Sequence, residues 1–335
     1  MRISFFSAHP YDEASFQAAN HYQYELIFFN DTPLNPATAS MAAGSDAICA
    51  FVNDHLDYEC LNRLKNKGVK WIALRCAGFN NVDLAAARAL NMPVVSVPTY
   101  TPEAVAEHTL ALILTLNRQT HRAFNRVREN NFSLNGLLGF NLHGRTVGLI
   151  GTGQIGLASA RILKGFGCHL LGYDPCPHHE FLELGGQYVD LSTVYQNSDI
   201  ISLHCPLTPE NYHMINVDAL TQMKDGVMLI NTSRGALIDT TAVIAALKSR
   251  KLGYLGLDVY EQEAQLFFHD LSEEIITDDE FQRLLTFPNV LITGHQGFFT
   301  QEALKDIAQT TLENLFRLSQ DLPCDNELTH LLGEP

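Results

Sequence analysis

At 335 residues the chain exceeds what one hydrophobic core usually organises, and 46% hydrophobic with 18% charged residues is a globular composition, which excludes disordered, fibrous and membrane-embedded classes. Its formal net charge of -15, from 22 basic and 37 acidic residues, repels polyanions, so no nucleic-acid partner is expected. The seven cysteines are scattered without a Cys-x-x-Cys pair, which predicts reduced thiols and no metal site.

The first ten residues hold one arginine and an apolar run of only Ile3 to Phe6, too short for a secretory core, so the protein is expected in the cytoplasm. Apolar runs then predict strands over 2–6, 24–29, 47–51, 71–74 and 94–97, with helical segments such as 84–90 between them. That rhythm is one small α/β domain with a parallel sheet. Pro98 and Pro102 bracket Thr99 to Thr101, and a single long helix is predicted from Glu103 to about Arg128, where the chain crosses into a second domain. Its apolar stretch, 104–116, contains Glu107 and His108 and is shorter than the ~20 residues that span a bilayer, so no membrane association is expected. Arg118, His121, Arg122, Arg126 and Arg128 read as a solvated helix face or a subunit contact.

After Gly144 a second series of strands is predicted over 146–150, 169–173, 200–204, 227–231, 254–257 and 290–293, six in all, the count of a Rossmann sheet. An amphipathic helix over 301–318 ends the pattern and is expected to return to the first domain.

Gly151-Thr152-Gly153-Gln154-Ile155-Gly156 directly follows the strand at 146–150 and opens a helix running to about Phe166. In that context the first glycine permits a tight turn, the second lets backbone approach a pyrophosphate, and the third lets helix pack on strand. The amides of Gln154 and Ile155 then face phosphates at a helix N-terminus. Asp174 ends the next strand, about 20 residues on, where a carboxylate accepts from ribose hydroxyls and repels a 2′-phosphate, which favours NAD over NADP.

Ligands of an open α/β sheet lie beyond the carboxyl ends of its strands, which draws attention to Cys205-Pro206, Thr232-Ser233-Arg234-Gly235, Asp258 and His295. A dinucleotide implies hydride transfer, and a carbonyl reduced by hydride needs a proton donor. Among 14 histidines, His295 and His204 both sit at strand ends, and spacing leaves His295 only modestly ahead. Arg234 is suited to bind a substrate carboxylate through two parallel hydrogen bonds. Asp258, Glu261 and Glu263 compete as the carboxylate that supports the imidazolium.

Taken together, the glycine loop with Asp174, Asn231 to Gly235, Asp258 to Glu263 and Gly294-His295-Gln296 resemble, in order, the D-isomer-specific 2-hydroxyacid dehydrogenases. Arg75 to Asp83, Pro102 to His108 and His204 to Thr208 are similar to the fermentative, NAD-dependent D-lactate dehydrogenase branch. The resemblance implies His295 as acid/base, Arg234 as carboxylate anchor and Glu263 as the histidine's partner. Gly151, Gly153, Gln154, Ile155, Gly156, Asp174, Cys205, Pro206, Thr232 and Asp258 are then cofactor-side residues. Tyr100, Phe298 and the backbone amides of Gly78 and Phe79 join Arg234 as substrate contacts. The fold implied is α/β in two domains, each a parallel sheet with helices on both faces. A flavodoxin-like outer substrate domain spans 1–100 plus 299–335, and a Rossmann dinucleotide-binding domain spans 101–298, its first helix making subunit contacts in a homodimer or dimer of dimers. Substrate in the cleft between domains, with closure over it, is the family expectation. The activity implied is NADH-dependent reduction of pyruvate to D-lactate, with another 2-keto acid, or an NAD-sensing regulatory role, as alternatives. Many relatives have alanine where Gly297 stands, a departure expected to affect rate rather than reaction class.

Overall fold

In the computed structural model, which describes residues 1–98 and 100–329, the chain divides into two compact units, Met1–Thr101 with the segment from Phe299 onward, and Pro102–Phe298. The first is built on β1 (Arg2–Ala8), β2 (Glu25–Asn30), β3 (Ala47–Ala50), β4 (Trp71–Leu74) and β5 (Val94–Val95). All pairings are parallel, in the order β2-β1-β3-β4-β5, the flavodoxin-like arrangement. Central β3 is buried along its whole length, which is why it reads as an unbroken apolar run. Helices Tyr58–Asn66 and Leu84–Ala89 begin where Asp57 and Asp83 accept from backbone amides three residues on. β5 is shorter than the predicted 94–97 because Ser96 and Val97 leave the ladder, donating instead to the carbonyls of Asn326 and Cys76.

The helix Gln301–Ser319, N-capped by Thr300, packs on the helix Pro10–Ala19 and on β4 and β5 of the same unit. Its buried face carries Ile307, Leu312, Leu315 and Asn314, whose amide donates to the Ser96 carbonyl. Residues 330–335 of the outer-domain expectation, and Thr99 of the crossover, lie outside the described residues.

The second unit carries β6 (Thr146–Ile150), β7 (His169–Tyr173), β8 (Gln187–Tyr188), β9 (Ile200–Leu203), β10 (Val227–Asn231), β11 (Leu252–Leu257) and β12 (Val290–Ile292). Their order is β12-β11-β10-β9-β6-β7-β8, all parallel. Counted from β6 this is the Rossmann order extended by one strand, with the switch point between β6 and β9. Seven strands rather than the predicted six are found among the described residues, because the two-residue β8 is too short to leave a periodic signal.

The long helix predicted from Glu103 to Arg128 is two helices, Pro102–Arg118 and Thr120–Arg128, broken where Gln119 takes a left-handed conformation at φ 49°. Just before the break, the Asn117 side chain exchanges two hydrogen bonds with the backbone of Phe140, so a returning loop closes over the end of the first helix. The second helix buries none of its residues and gains nothing by continuing the first helix's line. No helix among the described residues is long and apolar enough to cross a membrane.

Candidate active site

The turn after β6 contains two glycines that leave no room for a side chain. A Cβ at Gly151, whose φ is +96°, would lie 2.6 Å from the Cys205 amide nitrogen, and one at Gly156 would lie 2.2 Å from the Gly151 carbonyl oxygen. Gly153 differs, since a Cβ there meets nothing within 4 Å. It is the extended N-cap of helix Gln154–Gly165, and no side chain caps that helix. Two glycines therefore close the turn while the third opens space in front of free helix amides, a cradle that fits a pyrophosphate. Asp174, at the end of β7, accepts from the Thr152 amide at 2.7 Å and from the Cys176 amide at 2.8 Å. It thereby ties the loop to the strand end, and a carboxylate's remaining lone pairs can still take a ribose hydroxyl.

Beyond β10, Asn231 is fully buried and shapes the next turn, accepting from the Ser233 amide at 3.0 Å and donating to the Arg234 carbonyl at 2.8 Å. The turn packs so tightly on Tyr260 and Glu261 that a Cβ at Gly235 would lie 2.1 Å from the Tyr260 carbonyl carbon. Half-buried Arg234 donates to the Ser233 carbonyl, and among the described residues no carboxylate lies within 4.0 Å of its guanidinium. Next to it Thr232 shares a hydrogen bond with Thr109 at 2.9 Å.

After β12 the chain turns sharply, and His295 is held at φ 53°, a left-handed conformation that costs a non-glycine residue ~1 kcal/mol or more. Asp258, at the end of β11 and 1% exposed, compensates. Its carbonyl accepts from the His295 amide at 2.7 Å, and its carboxylate accepts from the amides of Gln296 and Gly297 at 2.9 and 2.8 Å. In that pose the His295 Nδ1 lies 2.8 Å from Glu263 Oε1, while Glu263 Oε2 accepts from the Tyr260 amide. Facing a carboxylate, Nδ1 is the donor, which leaves Nε2 to gain or lose a proton. The Phe268 ring, on a residue at φ 68°, lies 5.7 Å from the imidazole.

The matching family model is the D-isomer specific 2-hydroxyacid dehydrogenase, NAD binding domain, over residues 110–297. The chain is 56% identical over 329 residues to the D-lactate dehydrogenase of Escherichia coli, covering 98% of this chain and 100% of that one. The chain belongs to the D-isomer specific 2-hydroxyacid dehydrogenases. The apo structure of D-lactate dehydrogenase from Escherichia coli superimposes with a TM-score of 0.90 at 54% identity, covering 98% of this chain and 100% of that one. The Aquifex aeolicus D-lactate dehydrogenase, solved with NAD and lactic acid, does so with a TM-score of 0.86 at 34% identity, covering 98% and 99%. The protein is thus an oxidoreductase with NAD as its cofactor.

Geometry separates the residues that spacing left in competition. In this dehydrogenase, Glu261 is engaged elsewhere, 2.5 Å from His213 Nε2 and accepting from Thr240. His204 meets Ser202 at 3.0 Å, its Nδ1 is buried without a partner among the described residues, and burial pulls its pKa down to about 4, so at neutral pH it is a neutral imidazole and not a general acid. Burial pushes the Cys205 thiol up to about 11, which suits packing against Met214 better than nucleophilic chemistry. Pro206 follows it at the surface. Gly78 and Phe79 lie in the loop after β4 on the first unit, with Phe79 exposed, and Tyr100 belongs to the same unit, while Phe298 ends the second. A Cβ at Gly297 would sit 3.0 Å from Asp258 Oδ2, so an alanine there requires that carboxylate to yield by tenths of an ångström.

Sequence reasoning gave no role to His108 or Thr293, which both meet Asp258. The signal for His108 was present. With Val105, Thr109, Leu112 and Leu116 it falls on one stripe of its helix, and a histidine inside an apolar stripe needs a polar partner.

Proposed function

We infer that this dehydrogenase reduces pyruvate to D-lactate, with His295 as proton donor, Glu263 as its support and Arg234 as the anchor of the substrate carboxylate. One observation carries the reading. On the sheet that bears the glycine loop, the loop after β12 holds an imidazole 2.8 Å from a carboxylate, and the turn after β10 holds a guanidinium with no carboxylate partner among the described residues. NADH, when bound, supplies the hydride that reaches the carbonyl carbon.

Arg234 presents its fork to a carboxylate and so orients the keto group, a task for which lysine lacks the geometry. Glu263 fixes the ring and the tautomer of His295 and stabilises the imidazolium, so that Nε2 delivers its proton as the oxygen gains charge. Asp174, Gly153 and the amides of Gln154 and Ile155 hold the adenosine and pyrophosphate portions, and Thr232, Asp258, Cys205 and Pro206 flank the cofactor side. Gly78, Phe79, Tyr100 and Phe298 are proposed as substrate contacts on resemblance. The small acid is favoured by the relatives, one a D-lactate dehydrogenase 56% identical and another solved with lactic acid.

The test is NADH oxidation across a panel of 2-keto acids, followed by chiral analysis of the product. Pyruvate preferred and D-lactate formed is the expected result. A tenfold or greater preference for a branched or longer acid removes lactate from the assignment, and L-lactate removes the handedness.

The same proposal includes a homo-oligomer in the cytoplasm. Phe124, Phe132, Leu134 and Leu138 are 62%, 70%, 82% and 89% exposed within one stretch of the second unit, and clustered exposed apolar side chains favour a subunit contact there. All seven thiols are free, as in a reducing compartment. Sedimentation of the native protein beside Leu134→Glu/Leu138→Glu checks the assembly, and an unchanged monomer in both refutes it.

A further inference from the structure

Asp258 is a buried carboxylate with a demanding task. It alone receives the His295, Gln296 and Gly297 amides that hold the histidine loop in its left-handed turn. It faces inward on a partner from another element, the His108 imidazole on helix Pro102–Arg118, whose Nε2 lies 3.2 Å from Asp258 Oδ1 and 3.0 Å from the Thr293 hydroxyl. Thr293 in turn lies 2.5 Å from the same Oδ1.

Proton accounting settles who donates. Burial opposes ionisation of Asp258, but hydrogen bonds from His108, Thr293 and the Gln296 amide hold its pKa below the usual carboxylate range, so it is an acceptor only. The single hydroxyl hydrogen of Thr293 therefore goes to Asp258. The Thr293 oxygen then has only lone pairs for His108, so Nε2 of His108 carries a hydrogen and shares it between the hydroxyl and the carboxylate. His108 is 15% exposed and meets Asp258 at Oδ1, the same oxygen that accepts from the Gln296 amide.

We propose that His108 is a positioning residue for the reaction: by donating from Nε2 to Asp258 and Thr293, it fixes the carboxylate that clamps the loop bearing His295 and so keeps Nδ1 on Glu263. This rests on His295 being the acid/base of the preceding section. The chain of contacts runs from the helix through Asp258 Oδ1 to the Gln296 amide, through Oδ2 to the Gly297 amide, and so to the imidazole. Without the donor the carboxylate has only the loop's own groups to hold it and is free to swing with them. Misplacing a proton donor by about an ångström costs up to ~100-fold in rate.

His108→Leu removes the donor and keeps the bulk, whereas His108→Gln keeps an amide hydrogen at nearly the reach of Nε2. Expected for His108→Leu is a fall in kcat for pyruvate of about 30-fold, with NADH affinity by fluorescence titration unchanged and the limb of the pH–kcat/KM profile that reports the acid/base group displaced. His108→Gln should return kcat to within threefold of wild type and restore the profile. If the leucine variant does not fold, His108→Asn, too short to reach Asp258, takes its place in the comparison. His295→Ala is measured alongside. If it leaves turnover within tenfold, the acid/base reading itself falls, and this proposal with it. If His295→Ala is crippled while His108→Leu stays within threefold, only the role of His108 falls. Equal losses in the leucine and glutamine variants, with weakened NADH binding, reduce His108 to a packing residue and overturn the proposal.

Discussion

Replacing Arg234 by alanine tests the carboxylate anchor cleanly, because the native side chain makes so few other contacts. Its guanidinium donates to the neighbouring Ser233 carbonyl and has no carboxylate within 4.0 Å among the described residues. The turn beneath it is held by Asn231 through main-chain groups that the substitution leaves in place. Loss of stability should therefore stay within ~1 kcal/mol. The loss in function should be much larger. Two hydrogen bonds to a charged group are worth ~1.5–3 kcal/mol each, so removing both lowers kcat/KM for pyruvate by about 10²–10⁴-fold. Arg234→Lys keeps the charge without the fork and should recover only part of that. The assay is steady-state NADH oxidation with pyruvate, paired with a carbonyl substrate that lacks a carboxylate. Turnover of the second substrate, however slow, should be the same in wild type and variant, and the melting temperature should barely move. A kcat/KM for pyruvate within tenfold of wild type, or an equal loss on both substrates, refutes the assignment.

The glycine loop predicts a contrast. Gly156→Ala forces a Cβ to 2.2 Å from the Gly151 oxygen and should destabilise the second unit by ~1–3 kcal/mol or more in denaturant melts, whereas Gly153→Ala points into open space and should fold normally but bind NADH at least tenfold more weakly. Burial lowers the His204 pKa from 6.5 to about 4, so between those values the unfolded chain holds the extra proton. That contribution to stability is intact above about pH 6.5 and is lost as pH falls towards 4, so wild type should lose ~2 kcal/mol more than His204→Asn between pH 7 and pH 5 in urea melts. On the first unit, Arg75 is buried against Asp12 at 3.3 Å and stacks 4.6 Å from the Phe51 ring. Arg75→Met leaves that carboxylate uncompensated and should cost ~3–5 kcal/mol, with Asp12→Asn in the same chain restoring much of the loss.

The break at Gln119 shows one limit of sequence reasoning. No glycine or proline marks it, and its accompaniment is a pair of hydrogen bonds from Asn117 to a loop 23 residues away. The two-residue strand β8 was hidden for a different reason, since a period of two cannot be recognised in two residues. Glu261 and Glu263 form a third case. They are two positions apart on one loop and chemically identical, yet one meets His213 and the other meets His295.

What the linear chain determined alone is whatever is written within a few neighbours: apolar runs of strand length, their alternation with helices, and a glycine turn whose chemistry is local to six residues. These signals survive without knowledge of the fold because propensity, periodicity and steric freedom act over one or two turns of backbone. Only the tertiary structure decided that Asp258 and His295, 37 positions apart, close one turn, that Glu263 rather than Glu261 faces the imidazole, and that His108 backs the carboxylate from a helix 150 residues earlier. Those decisions depend on side-chain direction at strand ends, which is set by parallel pairing and close packing of distant segments and leaves no trace in residue type.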